Sequence, residues 1–184
     1  GLRDASGGVI DGTTSDGILI TNGQNITLRS LTLQNISASA VRGLGISNLT
    51  LTGLTISNIG AGGDFDEPAS ANLTGVVSVT NSSFSTATGK FFAMKNVSGT
   101  ISSLTFENNT FTNGSPNASD FEIFDTASLT TGTIKGNTYS NAGTISPNVA
   151  IAVHVGRTSV ATMTPFARLD VENNTITGSN AGMR

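Results

Sequence analysis

The sequence of 184 residues contains no cysteine and no tryptophan, and only 11% of its residues are charged. The absence of cysteine excludes disulfide bonds and thiolate metal sites. Lysine and arginine total 9 against 12 acidic residues, and they are scattered, so no basic stripe is available for nucleic acid. No apolar run reaches the ~20 residues of a membrane-spanning helix, and no signal peptide is recognisable. We therefore expect neither nucleic-acid binding nor insertion into a membrane.

In place of charge the chain uses Thr, Ser, Asn and Gly, which favour strands and tight turns over helices. The length fits one domain over residues 1–184. Because cysteine is missing, we expect a bacterial extracellular or cell-surface setting rather than a small disulfide-rich eukaryotic domain. The chain opens at Gly1 and stops at Arg184 just after a repeat, which we interpret as a segment of a longer protein.

A short repeat runs along the whole chain. NITLRSLTLQNI at 25–36 matches NLTLTGLTISNI at 48–59, and the shared motif is apolar–x–apolar–x–Asn or Gly. The motif ends at residues 12, 35, 58, 81, 108, 136 and 173. Alternating apolar and polar residues indicate strands with one buried face, and the repeats are too short to hold crossover helices. We predict an all-β, right-handed parallel β-helix, a single-stranded solenoid of about seven rungs.

Equivalent repeat positions should stack into columns, one rung about 4.8 Å above the last. One predicted interior column contains Leu33, Ile56, Val79, Phe106, Ile134 and Val171. The turn residues should form a hydrogen-bonded Asn ladder through Asn35, Asn58, Asn81 and Asn108. Longer later spacings predict loop insertions, mainly in the C-terminal half, at 60–72, 112–120, 140–148 and 156–164. Phenylalanine concentrates in the same half, where we expect it to fill a wider core.

GGVIDG at 7–12, GILITNGQNITLRSLTLQN at 17–35 and ENNTFTN at 107–113 resemble the right-handed parallel β-helix superfamily, which has the pectin-lyase-like fold. That superfamily includes pectin-degrading enzymes, phage tailspikes and many bacterial surface proteins. The resemblance implies the fold but no single activity. The catalytic segments of its pectin hydrolases (Asn-Thr-Asp, Asp-Asp, Gly-His-Gly and Arg-Ile-Lys) and the Arg-x-Pro-x-x-Arg segment of its pectate lyases are absent here.

Charged residues near the C-terminal end should share one outward face: Glu107, Lys135, Asp170 and Glu172. Glu107 and Glu172 would sit two rungs apart, about 9–10 Å between backbones, near the upper limit for the carboxylates of an inverting glycosidase. A solvated ladder in which opposite charges stack across strands explains the same residues. His154 lies among alternating apolar residues, which is typical of an ordinary strand position.

Two further sets of residues could bind a ligand. An outward Thr column that includes Thr32, Thr55, Thr105 and Thr133 could bind ice or a crystalline polysaccharide, although Thr is also an ordinary exposed strand residue. Asp64, Asp66 and Glu67 on a Gly-rich stretch could ligate Ca²⁺, and a solvated loop is the alternative. We expect no other cofactor.

Regular rungs, low charge and no recognisable catalytic set favour a non-enzymatic function. We expect a structural or adhesive solenoid segment of a bacterial secreted or surface protein. Its partners would be polysaccharide and neighbouring solenoid segments or other copies, stacked end to end on unpaired terminal rungs. The alternatives are a polysaccharide-acting lyase or glycoside hydrolase and a carbohydrate- or ice-binding face.

Overall fold

The computed structural model describes residues 7–66, 71–114, 117–143, 149–156 and 165–184. Every named element in these ranges is a β-strand, and every ladder between named strands is parallel. The prediction of an all-β, parallel fold is therefore confirmed. Within the same ranges, no helix is long and apolar enough to cross a membrane.

Seventeen strands follow one another along the chain. They are β1 (Val9–Asp11), β2 (Ile18–Thr21), β3 (Gln24–Arg29), β4 (Thr32–Leu44), β5 (Ile46–Thr52), β6 (Thr55–Phe65), β7 (Leu73–Thr80), β8 (Ser83–Ala87), β9 (Phe92–Asn96), β10 (Thr100–Glu107), β11 (Thr110–Gly114), β12 (Ser119–Phe124), β13 (Ser128–Lys135), β14 (Thr138–Ala142), β15 (Ile151–Gly156), β16 (Phe166–Glu172) and β17 (Thr175–Thr177).

The strands form two sheets, which present three faces. The first face contains β1, the start of β4, the start of β6, β8, β11, β14 and β17. The second face is the six-stranded sheet β3, β5, β7, β10, β13 and β16. The third face contains β2, the ends of β4 and β6, β9, β12 and β15. The long strands β4 and β6 contribute to both the first and third faces, so these two faces belong to one strongly curled sheet.

Turns between faces use residues with a left-handed backbone, which Asn and Gly adopt at low cost. Asn35 and Asn58 have φ of 54° and 51°, and the Asn58 amide Nδ2 donates to Asn35 Oδ1 at 2.7 Å. This part of the predicted Asn ladder is confirmed. Asn81 and Asn108 also have positive φ, but they lie after second-face strands and thus at a different corner.

The predicted interior column combined two faces, and this part of the prediction is wrong. Leu33 pairs with Ile56 on the first face, but the next residue in that column is Phe84, 28 positions later. Val79 belongs to the second face, where its preceding partner is Leu51. The error arose because each turn carries two similar apolar–Thr–apolar triplets. A step of 23 residues from Ile56 reaches the triplet on the other face.

The interior is filled by aliphatic residues near the first strands and by aromatic rings further along. Phe84, Phe111 and Tyr139 stack in series on the first face, with ring centroids 5.0 and 4.7 Å apart. The prediction that phenylalanine fills the core is confirmed for these fully buried side chains: Phe84, Phe91, Phe92, Phe106, Phe111 and Phe121. Phe124 is only partly buried, and Phe166 has 57% of its surface exposed.

A second Asn ladder lies inside the molecule at the corner between the second and first faces. Asn137 Nδ2 donates to the Asn174 Oδ1 at 3.0 Å, and Asn109 Nδ2 donates to the Asn137 Oδ1 at 3.1 Å. The same Asn137 Oδ1 accepts from the Asn109 main-chain N–H. The ladder therefore satisfies main-chain groups that the corner would otherwise bury without partners.

The first predicted insertion, 60–72, begins as strand. Residues up to Phe65 belong to β6 and pair with β9 on the third face. Residues 67–70, 115–116, 144–148 and 157–164, from the four predicted insertions, lie outside the described residues.

Candidate functional site

The predicted charged column lies on the second face. Glu107 pairs with Lys135 and Lys135 with Glu172 in adjacent parallel strands, and Lys135 Nζ is 2.7 Å from Glu172 Oε1. Asp170 is one column away, beside Thr133. The hydrogen bond and charge of Glu172 raise the pKa of Lys135. Both side chains of this pair are about half exposed, so the geometry is that of a solvated charge ladder.

The four predicted ligand-binding threonines do not form one column. Thr32 and Thr55 are partners on the first face, whereas Thr105 and Thr133 are partners on the second. The cause is the same confusion between the two triplets of each turn. The predicted single Thr column is therefore replaced by two separate surfaces.

The first face carries two parallel columns of hydroxyl groups. The outer column contains Thr32, Thr55, Ser83, Thr110, Thr138 and Thr175. The neighbouring column contains Ser57, Ser85, Thr112, Ser140 and Thr177. Side chains along a column are about 4.8 Å apart, and the two columns are about 6.7 Å apart. Within the described strands of this face, Asp11 on β1 is the one outward charged side chain.

These hydroxyl groups are available for intermolecular hydrogen bonds. In the described part of the chain, none of the six side chains of the outer column hydrogen-bonds to another protein group. In the second column Ser140 and Thr177 contact each other at 3.3 Å, and the Thr177 hydroxyl also donates to the Tyr139 carbonyl. Each hydroxyl can both donate and accept. A pocket of about 390 Å³ adjoins this face at its corner with the third face, and its polar lining includes Asn35, Ser37, Asn58 and Thr88.

Asp64 lies on a strand of the third face, so the prediction that it belongs to a loop is wrong. Its Oδ2 accepts a hydrogen bond from the Ser39 hydroxyl at 2.9 Å. Burial, followed by the hydrogen bond and charge of Asp66, raises the pKa of Asp64 to about 6, against the lowering effects of the Ser39 hydrogen bond and the Arg42 charge. The Asp64 carboxyl is therefore about half protonated near pH 6.

Lys90 connects this pair to the next charged residues of the third face. Its Nζ is 3.6 Å from Asp66 Oδ2 and 2.9 Å from Asp120 Oδ2. Burial lowers the pKa of Lys90, but the hydrogen bond and charge of Asp120, together with Asp66 and Glu122, outweigh it, so the pKa is raised. The Asp120 side chain is only 4% exposed. A carboxylate that is buried so deeply needs an opposite charge, and Lys90 supplies one at 2.9 Å.

His154 reaches the same carboxylate from β15. Its Nε2 is 3.6 Å from Asp120 Oδ1, an oxygen that accepts no hydrogen bond from any described residue. Lys95 and Glu122 form a neighbouring ion pair at 3.4 Å. We define the third-face charge cluster as Asp64, Asp66, Lys90, Asp120 and His154. No motif in the sequence marks this cluster, because three members lie on the separate strands β6, β12 and β15 and the other two lie just after β6 and just before β9.

The structure describes two of the three predicted calcium ligands. Asp64 and Asp66 are close enough for Asp66 to raise the pKa of Asp64, while Glu67 lies outside the described residues. Among the described residues, no group of three or more His, Cys, Asp or Glu side chains could hold a metal ion. Calcium binding at Asp64, Asp66 and Glu67 stays a prediction.

Replacing Asp64 with Asn should stabilise the protein at neutral pH. The folded-state pKa of about 6 lies above the ordinary value of 3.8, so the folded state binds more protons between these values. The Asp64 contribution to stability is therefore present at low pH and is lost as the pH rises through this window. In urea unfolding, the free energy of unfolding of Asp64→Asn should increase relative to that of the wild type between about pH 4 and about pH 7. Asp170→Asn, which removes an exposed carboxylate of the second face, is the control. A pH-independent difference for Asp64→Asn, or an equal trend in both variants, would contradict the prediction.

Comparison of the chain with protein-family models, with curated proteins and with solved structures finds no match in any of the three.

Proposed function

We propose that the chain is a right-handed parallel β-helix of about seven rungs, as in the pectin-lyase-like superfamily. The proposal is supported by the series of parallel first-face strands β1, β4, β6, β8, β11, β14 and β17. Each turn of the chain contributes one strand to this series, and connections between parallel strands of one sheet are right-handed in nearly all proteins.

We further propose that this solenoid is a structural and adhesive segment of a bacterial secreted or cell-surface protein, and that the first face binds polysaccharide. The observation that carries the proposal is the pair of hydroxyl columns, whose outer members Thr55, Ser83 and Thr110 are exposed and have no partner within the described protein. A polysaccharide chain presents hydroxyl donors and acceptors along its length. A regular, almost charge-free hydroxyl surface can pair with them without desolvating an ion.

Replacing Thr110 with Lys should reduce retention of the protein on microcrystalline cellulose by about tenfold. A lost hydrogen bond costs about 0.5–1.5 kcal/mol, and about 1.4 kcal/mol corresponds to a factor of ten in affinity. The bulky cation would interrupt the flat hydroxyl surface near its middle. Pull-down with increasing amounts of cellulose measures the change. Thr105→Lys is the matched control, because Thr105 occupies the corresponding outward position on the second face.

The control variant should be retained as well as the wild type. Equal losses for Thr105→Lys and Thr110→Lys, or no retention of the wild type, would contradict binding by the first face. If the protein inhibits ice growth but is not retained on cellulose, the first face would bind ice rather than polysaccharide.

The second candidate function is polysaccharide cleavage at the third-face charge cluster. The observation that favours it is the position of the half-buried Asp64, which accepts a hydrogen bond from Ser39, near Asp66 and Lys90. A carboxyl whose pKa is raised to about 6 there is suited to general acid catalysis. This candidate places catalysis on the third face, whereas Glu107 and Glu172 lie on the second face. Reducing ends or unsaturated products that appear with the wild type and disappear with Asp64→Asn would favour this function over adhesion.

A further inference from the structure

The pocket of about 390 Å³ lies at the corner between the first and third faces, beside the second hydroxyl column. None of the residues that line it is charged. The Ser37 and Thr88 hydroxyls line it and hydrogen-bond to no described group, and Gly60, which lies between them in the stack, contributes no side chain. The volume is at the lower end of the range for small-molecule sites, and the lining is neutral and polar. The pocket therefore fits one sugar residue.

The Asn ladder at this corner is interrupted beside the pocket. Successive turns of the chain place one residue with positive φ at the corner, in this column: Gly12, Asn35, Asn58, Thr86, Asn113, Asn141 and Gly178. Gly and Asn adopt positive φ at low cost, but a β-branched residue does so rarely. Thr86, with φ of 55°, is thus held in an unfavourable backbone conformation. Strain of this kind is common at binding sites.

Thr86 leaves amide groups unpaired on both sides of it. Asn58 Nδ2 donates to Asn35 Oδ1, while the Asn58 Oδ1 accepts no hydrogen bond from any described residue. On the other side, Asn113 Oδ1 accepts from Asn141 Nδ2 at 3.5 Å, and Asn113 Nδ2 donates to no described group. An Asn at position 86 would connect the two halves of the ladder, which the shorter Thr hydroxyl does not. The interruption therefore leaves one free acceptor and one free donor about 10 Å apart, two strand spacings along the corner.

We infer that this pocket binds a neutral sugar residue that branches from a polysaccharide held on the first face, an inference that rests on the proposed function. A chain that lies along the hydroxyl columns passes beside the pocket, so only a group that projects from the chain can enter it. The free Asn58 Oδ1 accepts a hydrogen bond from a hydroxyl of the branch, and the Ser37 and Thr88 hydroxyls pair with others. The preferred ligand is thus a branched, uncharged polysaccharide.

The inference is tested by titration calorimetry with two oligosaccharides, cellotetraose and the xyloglucan heptasaccharide, which is the same glucose chain carrying xylose branches. The wild type should bind the heptasaccharide at least about fivefold more tightly, since each added hydrogen bond is worth about two- to tenfold in affinity. Thr88→Trp fills the pocket, so it should lower the heptasaccharide affinity to that of cellotetraose and leave cellotetraose binding unchanged. Thr131→Trp, at an exposed position of β13, is the matched control and should bind like the wild type.

Two substitutions at position 86 separate the unpaired amide from the backbone strain. Thr86→Asn should raise the urea midpoint, because Asn tolerates positive φ and can donate to the Asn58 Oδ1. The same hydrogen bond occupies that oxygen, so the heptasaccharide affinity should fall by about two- to tenfold. Thr86→Gly also relieves the strain but leaves the oxygen free, and it should bind like the wild type. A variant that is more stable and binds less tightly has not lost binding through unfolding.

Equal affinities of the wild type for the two oligosaccharides, unchanged heptasaccharide binding in Thr88→Trp, or equal losses in Thr86→Asn and Thr86→Gly would each overturn the inference. Thr110→Lys distinguishes this failure from failure of the proposed function. If the wild type binds both oligosaccharides equally and Thr110→Lys weakens both, the first face binds the chain and the pocket binds no branch. If heptasaccharide binding is lost in Thr88→Trp but is unaffected by Thr110→Lys, the pocket binds sugar and the first-face function is wrong.

Discussion

Replacing Phe111 with Ala should lower the free energy of unfolding by about 3–5 kcal/mol, the usual cost of removing a buried ring from a packed core. Phe111 is fully buried and lies between Phe84 and Tyr139 in the first-face stack. It also contacts Phe91 and Phe106, at 5.7 Å between ring centroids in each case. Rings above and below are held by their own strands, so the cavity cannot close easily. Urea unfolding followed by circular dichroism measures the loss.

Phe166→Ala is the matched control for this prediction. The substitution is the same, but Phe166 is mostly exposed on an end strand, so little buried surface is removed. The measurement should be made on dilute protein to avoid any contribution from association. A loss for Phe111→Ala no larger than that for Phe166→Ala would show that the aromatic stack does not hold the core together.

Replacing Asn137 with Ala should destabilise the protein by about 2–5 kcal/mol, because buried polar groups left without partners each cost about 1–3 kcal/mol. The Asn137 side chain is fully buried. It accepts a hydrogen bond from the Asn109 main-chain N–H at 2.9 Å and donates to the Phe106 carbonyl at 2.8 Å. Alanine removes both contacts at a corner where water has little access. Chemical unfolding of the variant gives the change directly.

The adjacent Thr138→Ala separates this effect from a general intolerance of the corner. Thr138 points outward, and its side chain makes no hydrogen bond with any described residue. Its substitution should change the free energy of unfolding by less than about 0.5 kcal/mol, as is usual at surface positions. Similar losses for Asn137→Ala and Thr138→Ala would mean that the inner Asn ladder is not a major source of stability.

The parallel β architecture could be predicted because the apolar–polar alternation and the turn residues of each repeat carry it. Leu49, Thr50 and Leu51 show the pattern directly, since the two leucines are fully buried and the threonine between them faces outward. The Asn35–Asn58 hydrogen bond followed from the same repeat. These features depend on residues close together in sequence, within one strand and its turn.

The register between turns could not be predicted so well, because two faces carry nearly the same triplet. Ile26–Leu28 and Leu31–Leu33 both match the apolar–Thr–apolar motif, yet they belong to different sheets. The connection between β6 and β7 is longer than the one between β4 and β5, which moves the next equivalent residue from 23 to 28 positions away. A constant spacing of 23 residues therefore leads from Ile56 to Val79 on the second face, whereas the first-face partner of Ile56 is Phe84.

The third-face charge cluster could not be predicted from the sequence, for a different reason. Asp64, Lys90, Asp120 and His154 are separated by 26 to 34 residues along the chain and match no repeated position. Ala93 occupies the place between Asp64 and Asp120 in the same column, so the pattern contains no run of charge. Only the third-face register brings these side chains together, and that face has the weakest sequence signature of the three.

The extra residues of the longer turns fall between strands and leave the ladders aligned. Leu49 still pairs with Val77 and Ile56 with Phe84 after the longer β6–β7 connection, although a small irregularity precedes the first of these pairs. In evolutionary terms, a corner can gain residues without a compensating change on any face. The same freedom makes the corners suitable places for grafting a foreign peptide or epitope, which would be displayed beside a chosen pair of stacked strands.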